Sequence, residues 1–113
     1  MGKIILHITQ RKNWETAQRE GIYRTDSLRD EGFIHCSTIE QVVGTANLLF
    51  ESQSGLVLLY LDTDKVKPEI KYENLQGGED LFPHIYGPLN IDAVIKVIDF
   101  MPDYNGKFVL PSL

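Results

Sequence analysis

The sequence predicts an α+β domain with mainly antiparallel sheets and two helices in the first half of the chain. Helical spacing of apolar residues is confined to residues 10–20 and to a stretch that starts near Thr38. From Leu56 onward, β-branched and alternating runs are separated by turn residues, which is typical of strands. A chain of 113 residues can bury its own core, so we expect one domain over residues 1–113.

Composition narrows the class of protein. An apolar content of 42% and a charged content of 24% are typical of globular domains. The net charge of −5 argues against nonspecific binding to nucleic acid or to an anionic membrane. Cys36 is the single cysteine and cannot form an internal disulfide, which favours the reducing cytoplasm. No secretory leader or run of membrane-spanning length is visible, so we expect a cytoplasmic protein that does not insert into membranes.

The chain opens with a strand and a helix. β-branched content predicts the strand over residues 3–9, and His7 and Thr9 share one face near its end. The helix predicted over residues 10–20 places Trp14 on its apolar side, where an aromatic side chain is usually a core anchor.

A connection follows over residues 22–30. Turn residues occupy positions 25–27. Tyr23, Arg24 and Ser27 in this segment either line a site or belong to a polar surface loop.

The segment 32–38 is the part of the chain where strand and helix signals meet. Side chains alternate along a strand, so Phe33, His35 and Ser37 are expected on one face. Cys36 falls on the opposite face and is predicted to be a buried structural thiol.

The second helix is predicted to begin near Thr38 because Thr38-x-x-Gln41 fits a capping box, as does the overlapping Ser37-x-x-Glu40. The helix is expected to end near Ser52 to Gly55, with Gly55 as the residue that breaks it. Its predicted apolar face consists of Ile39, Val42, Val43, Ala46, Leu49 and Phe50. Leu48 points away from that face and, with the apolar late strands, indicates a homodimer surface.

Four strands are predicted in the second half, over residues 56–61, 69–73, 93–100 and 107–110. The first is continuously apolar and should be covered on both faces. Residues 74–82 are expected to form a mobile loop with its tip at Gly77-Gly78. The prolines at 83 and 88 predict a rigid loop that orients His84 and Tyr86.

Each histidine is followed two positions later by a hydroxyl-bearing residue. The polar set comprises His7, Thr9, His35, Ser37, Glu73, His84 and Tyr86. Each of these histidines either serves a site or satisfies a backbone group. A zinc site would lack a close histidine pair, and a triad on Ser37 would lack a nucleophile elbow, so we expect no metal.

Nearly the whole chain resembles the bacterial family called domain of unknown function 952. The resemblance is carried by Leu6-His7-Ile8-Thr9, Trp14, Gly21-Ile22-Tyr23, Ser27-Leu28, Glu31-Gly32-Phe33-Ile34-His35-Cys36-Ser37-Thr38, Gln41, Asn47, Glu73 and Phe82-Pro83-His84-Ile85-Tyr86-Gly87-Pro88-Leu89.

That family is similar at a distance to the ADP-ribosyltransferase-like fold, which implies split antiparallel sheets around a cleft for a nicotinamide dinucleotide. In this likeness NAD is a substrate. His7 and Thr9 would hold the ribose, Tyr23 would stack on nicotinamide and Glu73 would supply the acid, with Glu79 as the alternative carboxylate.

Two further interpretations stay open. The motifs His7-x-Thr9 and His35-x-Ser37 resemble the paired motifs of two-histidine phosphoesterases, in which one imidazole is a base and the other an acid. The protein is otherwise a noncatalytic module that binds a small molecule or nucleotide. The candidate catalytic residues are Glu73, His35 and His84, and the candidate binding residues are His7, Thr9, Tyr23, Ser27, Ser37 and Tyr86.

Overall fold

Three antiparallel sheets and three α-helices make up residues 2–75 and 77–111, the part of the chain that a computed structural model describes. The elements are β1 (Ile4–Gln10), α1 (Arg11–Glu20), β2 (Ile22–Tyr23), α2 (Asp26–Glu31), β3 (Ile34–His35), α3 (Ile39–Leu49), β4 (Leu56–Asp62), β5 (Glu69–Glu73), β6 (Phe82–Tyr86), β7 (Leu89–Asn90), a 3₁₀ turn (Ile91–Ala93) and β8 (Val94–Phe100). The predicted α+β class with antiparallel sheets is confirmed.

The central sheet has the strand order β1-β4-β8. β4 is buried along its whole length, which confirms the prediction from its continuous apolar sequence. Its odd-numbered residues face a core cluster that contains Trp14, and its even-numbered residues face a second cluster that contains Val42 and Ala46 of α3. The prediction that Trp14 anchors the core is therefore confirmed.

A second sheet, with the order β3-β6-β5, meets the central sheet at one point. β3 is only two residues long, and beyond it Ser37 crosses to the edge of β1. The backbone N–H of Leu6 donates to the Ser37 carbonyl at 2.7 Å, and the Ser37 N–H donates to the Leu6 carbonyl at 2.8 Å. This junction brings the end of β1 beside β3.

The prediction of only two helices is wrong, because residues 26–31 form α2. The Thr25 hydroxyl accepts the backbone N–H of Leu28 at 3.1 Å and caps the helix start. Gly32 ends it in the left-handed region at a φ of 92°. The residues that indicated a turn therefore act as a helix cap.

The rigid loop predicted around Pro83 is instead strand β6. Within an antiparallel pair, the N–H and C=O of one residue point to the same neighbouring strand. The Pro83 carbonyl accepts the N–H of Cys36 at 3.0 Å, so the proline nitrogen faces the point where the β3 ladder ends. Pro83 lacks a backbone N–H, but no hydrogen bond of the β3 ladder needs one at this position. The pairing of β6 with β3 and β5, and not a rigid loop, orients His84 and Tyr86.

The exposed end of α3 differs in part from the predicted pattern. Leu48 is 81% exposed, in agreement with its predicted position. Leu49, which was assigned to the apolar face, is 63% exposed. Leu49 is the last residue of α3, so no following turn of the helix covers its side chain.

No strand forms over residues 107–110, contrary to the sequence prediction. Phe108 is nonetheless buried. The Asn47 Oδ1 atom accepts its backbone N–H at 2.7 Å, and the Asn47 Nδ2 atom donates to its carbonyl at 3.3 Å. The Asn47 side chain thus satisfies the backbone N–H and C=O of Phe108, which a neighbouring strand would otherwise have to do.

The segment between β5 and β6 lacks strand and helix over its described residues, as predicted. Gly77, at the predicted tip, has a φ of 88°. Gln76 of this segment lies outside the described residues.

Gln41 connects this segment to the start of α3. Its Oε1 atom accepts the backbone N–H of Thr38 at 3.0 Å, and its Nε2 atom donates to the Leu81 carbonyl at 2.8 Å. We expect Gln41→Ala to lower the free energy of unfolding by about 1 kcal/mol, because a helix-start N–H loses its partner. Urea denaturation would measure this change, and Gln18→Ala, at an exposed position of α1, is the control.

Candidate functional site

A cleft of about 1240 Å³ lies beside the junction of the two larger sheets. Its lining comes from β1, the segment from α1 to β3, α3, the end of β5, the segment that follows it and β6. Eight of the sequence-predicted site residues line it, namely His7, Thr9, Tyr23, Ser27, His35, Ser37, Glu73 and His84. Tyr86 is not among the lining residues, but its hydroxyl contacts Glu73.

His7 is buried at the base of this cleft, and both of its ring nitrogens have protein partners. Nδ1 lies 2.6 Å from the backbone carbonyl oxygen of His35, and Nε2 lies 2.7 Å from the Tyr23 hydroxyl. A carbonyl oxygen only accepts, so Nδ1 carries the proton and Nε2 accepts from the Tyr23 O–H. His7 therefore ties β1 to β3 and β2 as a neutral imidazole.

Burial explains why both partners stay neutral. Desolvation lowers the pKa of His7 to about 4. Desolvation also raises the pKa of the Tyr23 hydroxyl. Tyr23 is 2% exposed, so neither of its ring faces is open to a planar ligand, and the expected stacking on nicotinamide is wrong.

A second hydrogen-bonded group lies on β5 and β6. Oε1 of Glu73 accepts from Nδ1 of His84 at 3.0 Å and from the Tyr86 hydroxyl at 2.5 Å. Both bonds end on the same oxygen atom, and Oε2 has no hydrogen-bond partner within residues 2–75 and 77–111. The bonds from Tyr86 and His84 lower the pKa of Glu73, so its carboxylate is ionised at neutral pH.

Aromatic contacts fix the ring of His84. Phe33 stacks on it, with ring centroids 4.1 Å apart and an interplanar angle of 21°. His35 meets His84 edge-on, with centroids 5.4 Å apart. The Nε2 atom of the exposed His35 ring also lies 2.9 Å from Glu31. Two imidazoles, each paired with a glutamate, thus stand side by side in the cleft.

The predicted hydroxyl residues differ in what they contact. The Ser27 hydroxyl donates to the Phe33 carbonyl at 2.8 Å and holds the turn before β3. The Ser37 hydroxyl lies 3.4 Å from the Thr45 hydroxyl, and Thr9 accepts from Asn13 at 3.5 Å. The last two bonds are long and therefore weak, and the Thr9 hydroxyl also interacts with the Tyr23 hydroxyl.

Sequence reasoning missed Glu31 as a site residue. It lies at the end of α2, the helix that was interpreted as a turn, and its distance of four residues from His35 was the available signal. Cys36, by contrast, is buried as predicted, and desolvation raises the pKa of its thiol.

The charge of the cleft is strongly asymmetric. Its described lining holds six carboxylates and one arginine, namely Glu20, Asp26, Glu31, Glu73, Glu79, Asp80 and Arg24. Such a lining favours positive charge in a ligand or in a reacting group. Across residues 2–75 and 77–111, no cluster of three or more His, Cys, Asp or Glu side chains is arranged to hold a metal ion. None of the helices in the same ranges has the length and apolar character needed to span a membrane.

The model of a protein family described as "Protein of unknown function (DUF952)" matches residues 8–97. The chain belongs to this family. The resemblance predicted from its motifs is thereby confirmed at the level of the family.

Solved structures extend the likeness over the whole fold. The crystal structure of protein CC0527 from Caulobacter crescentus has a TM-score of 0.86 at 33% sequence identity, covering 96% of this chain and 95% of that chain. The solution NMR structure of CC0527 has a TM-score of 0.77 at 32% identity, covering 92% of this chain and 90% of that chain. No curated protein matches the chain.

Proposed function

We propose that this DUF952 protein binds a nicotinamide dinucleotide in its cleft and transfers the ADP-ribosyl group. The observation that carries the proposal is Glu73, an ionised carboxylate fixed through Oε1 whose Oε2 lacks a hydrogen-bond partner within residues 2–75 and 77–111. The likeness to the ADP-ribosyltransferase-like fold that the sequence implies is part of what we propose.

The chemistry of the N-glycosidic bond explains why such a carboxylate matters. As the bond between ribose and nicotinamide lengthens, positive charge develops on the ribose in an oxocarbenium-like state. A fixed anion beside this centre stabilises the charge without reorganising. The bonds from Tyr86 and His84 lower the pKa of Glu73, which supports its assignment as that anion.

The size and charge of the cleft support a dinucleotide. Small-molecule sites generally occupy about 300–1,000 Å³, and this cleft reaches about 1240 Å³. Its carboxylates favour the cationic pyridinium ring, and Arg24 is the lining cation that can pair with the pyrophosphate. Since both nitrogens of His7 are occupied, we assign the contacts with the ribose to the Thr9 and Ser37 hydroxyls. His7 bonds to the His35 carbonyl and to the Tyr23 hydroxyl at the base of the cleft.

A second candidate function rests on the neighbouring imidazoles of His35 and His84. Two histidines can share general acid and general base roles in the cleavage of a phosphoester. The pair differs from the one expected from sequence, because His7 is buried in its bonds to Tyr23 and the His35 carbonyl. Glu31 and Glu73 bond to these two imidazoles and disfavour a phosphate between them, whereas Arg24 lies elsewhere in the lining, so we rank this function second.

An amide NMR titration of isotope-labelled protein separates the two functions. Oxidised nicotinamide dinucleotide should shift signals of residues that line the cleft, and nicotinamide should accumulate when the mixture is incubated. ADP-ribose and a 2′,3′-cyclic nucleotide are the comparators. Shifts with the cyclic nucleotide alone would favour the phosphoesterase, and no shift with millimolar dinucleotide would refute the proposed function.

A further inference from the structure

We propose that Nε2 of His84 is the general base that takes the proton from the acceptor, and that this acceptor is a neutral hydroxyl compound, either water or an alcohol. The inference rests on the proposed function and adds a base and an acceptor class to it. Three features carry it, namely the hydrogen bonds of His84, its packing and its place beside Glu73.

The hydrogen bonds select one tautomer of the ring. The carboxylate of Glu73 only accepts, so Nδ1 of His84 carries the donated proton. In the neutral imidazole, Nε2 then has a free lone pair. Nε2 has no hydrogen-bond partner within residues 2–75 and 77–111, and His84 lines the cleft. A carboxylate that orients a histidine in this way is the usual support of a general base.

Packing fixes the direction in which Nε2 points. His84 is buried, Phe33 stacks on one face of its ring, and His35 lies against it edge-on. Tyr86 donates to the same Oε1 atom of Glu73 at 2.5 Å and so helps to fix the carboxylate that orients His84. Tyr86 is thus a positioning residue that acts on His84 through Glu73.

The same carboxylate places the base beside the reacting centre. Glu73 uses Oε1 for His84 and has Oε2 available for the cationic ribose. One residue therefore orients the base and stabilises the electrophile. A base serves a nucleophile that carries a proton and no charge, such as a hydroxyl, and a thiolate or a carboxylate would not need one.

The reaction balances with the components named. The acceptor oxygen forms a bond to C1′ of the nicotinamide-bearing ribose while its proton moves to Nε2 of His84. The C1′–N bond breaks, and its electron pair leaves with nicotinamide, which becomes neutral. His84 then returns the proton to water, so one proton is released for each nicotinamide.

Several charged and titratable groups face His84 from the neighbouring elements. Glu73 and Lys71 lie on β5, where Lys71 is the register partner of His84, and His35 lies on β3. Lys71 also places its ammonium group 4.8 Å from the centre of the Tyr86 ring. Because several charged groups surround His84, the test uses rescue and nitrogen chemical shifts instead of a pH profile alone.

Chemical rescue tests the base directly. His84→Gln is expected to slow nicotinamide release by about 10²–10⁴-fold, the usual range for loss of a general base. His84→Ala is expected to lose activity similarly and to recover part of it when free imidazole is added. His84→Gln with the wild-type rate, or a folded His84→Ala protein that imidazole does not rescue, would overturn the inference.

The nitrogen chemical shifts of His84 supply an independent readout that needs no turnover. Wherever the ring is neutral, long-range ¹H–¹⁵N spectra should show a protonated Nδ1 and an unprotonated Nε2, and Tyr86→Phe should move both shifts. A protonated Nε2 in the neutral ring would overturn the inference even in an active protein. Wild-type protein that releases no nicotinamide would overturn the proposed function, and the general-base role with it.

Discussion

Glu73→Gln is expected to slow nicotinamide release by about 10²–10³-fold, because it removes the fixed negative charge beside the developing oxocarbenium ion. Glutamine has nearly the same shape and retains an oxygen that can accept from His84 and Tyr86. The dinucleotide should therefore bind with similar affinity, and the loss should appear in kcat and not in KM. Steady-state assays of nicotinamide release at several dinucleotide concentrations would measure both constants.

A charge-matched control separates this local effect from a change in the overall field of the protein. Glu15→Gln removes one carboxylate from an exposed position on α1 that is not among the residues lining the cleft. Its kcat should stay close to that of the wild-type protein. Equal rates in the wild-type protein and Glu73→Gln would exclude the assigned role of Glu73 as the stabilising anion.

Periodicity predicted the elements whose signals are local. The continuous apolar run of β4 predicted a strand covered on both faces, and that prediction is confirmed. The helical spacing over residues 10–20 correctly predicted α1, which ends at Gly21 with a φ of 78°. These signals work because burial and capping at such positions depend on neighbours in sequence.

Local reasoning was wrong where a tertiary contact changed the meaning of a residue. Proline usually interrupts a strand, yet Pro83 lies in β6 because its nitrogen faces the end of the short β3 ladder. Residues 25–27 resembled a turn, but Thr25 caps a helix. In both cases the backbone or side-chain group that matters is visible in the sequence, but its hydrogen-bond partner is set by the fold.

The site itself depends on strand register. Glu73 and His84 are eleven residues apart and meet because β5 pairs with β6 in a register that sets Lys71 opposite His84. A slip of one residue would send the Glu73 side chain to the other face of the sheet. No sequence pattern supplies that register, so the residues could be listed as candidates but not joined into one hydrogen-bonded group.

The same limit applies to His7. Its pattern with Thr9 predicted contact with a ligand, whereas the fold occupies both of its nitrogens. The alternation along β1 placed the side chain on the correct face, but it did not reveal how deeply the ring is buried. The role of His7 is therefore expected to appear first in stability.

Protonation of His7 is expected to cost the fold about 3 kcal/mol, because its pKa falls from 6.5 to about 4 on folding and each pKa unit corresponds to about 1.4 kcal/mol. The unfolded chain binds the proton more readily than the folded protein. The full stability is therefore present above pH 6.5 and decreases as the pH falls from 6.5 to about 4. Denaturant unfolding at intervals across this range would measure the slope.

His7→Gln isolates this contribution, because glutamine can hydrogen-bond but does not titrate in this range. The variant should have a lower free energy of unfolding at pH 7.5 and a shallower pH dependence than the wild-type protein. His35→Gln is the matched control, since it removes an exposed histidine and should leave most of the wild-type slope. If His7→Gln retained the complete wild-type slope, the acid sensitivity would have to come from other groups. A shallower slope would assign the acid sensitivity to the buried imidazole that bonds to Tyr23 and to the His35 carbonyl.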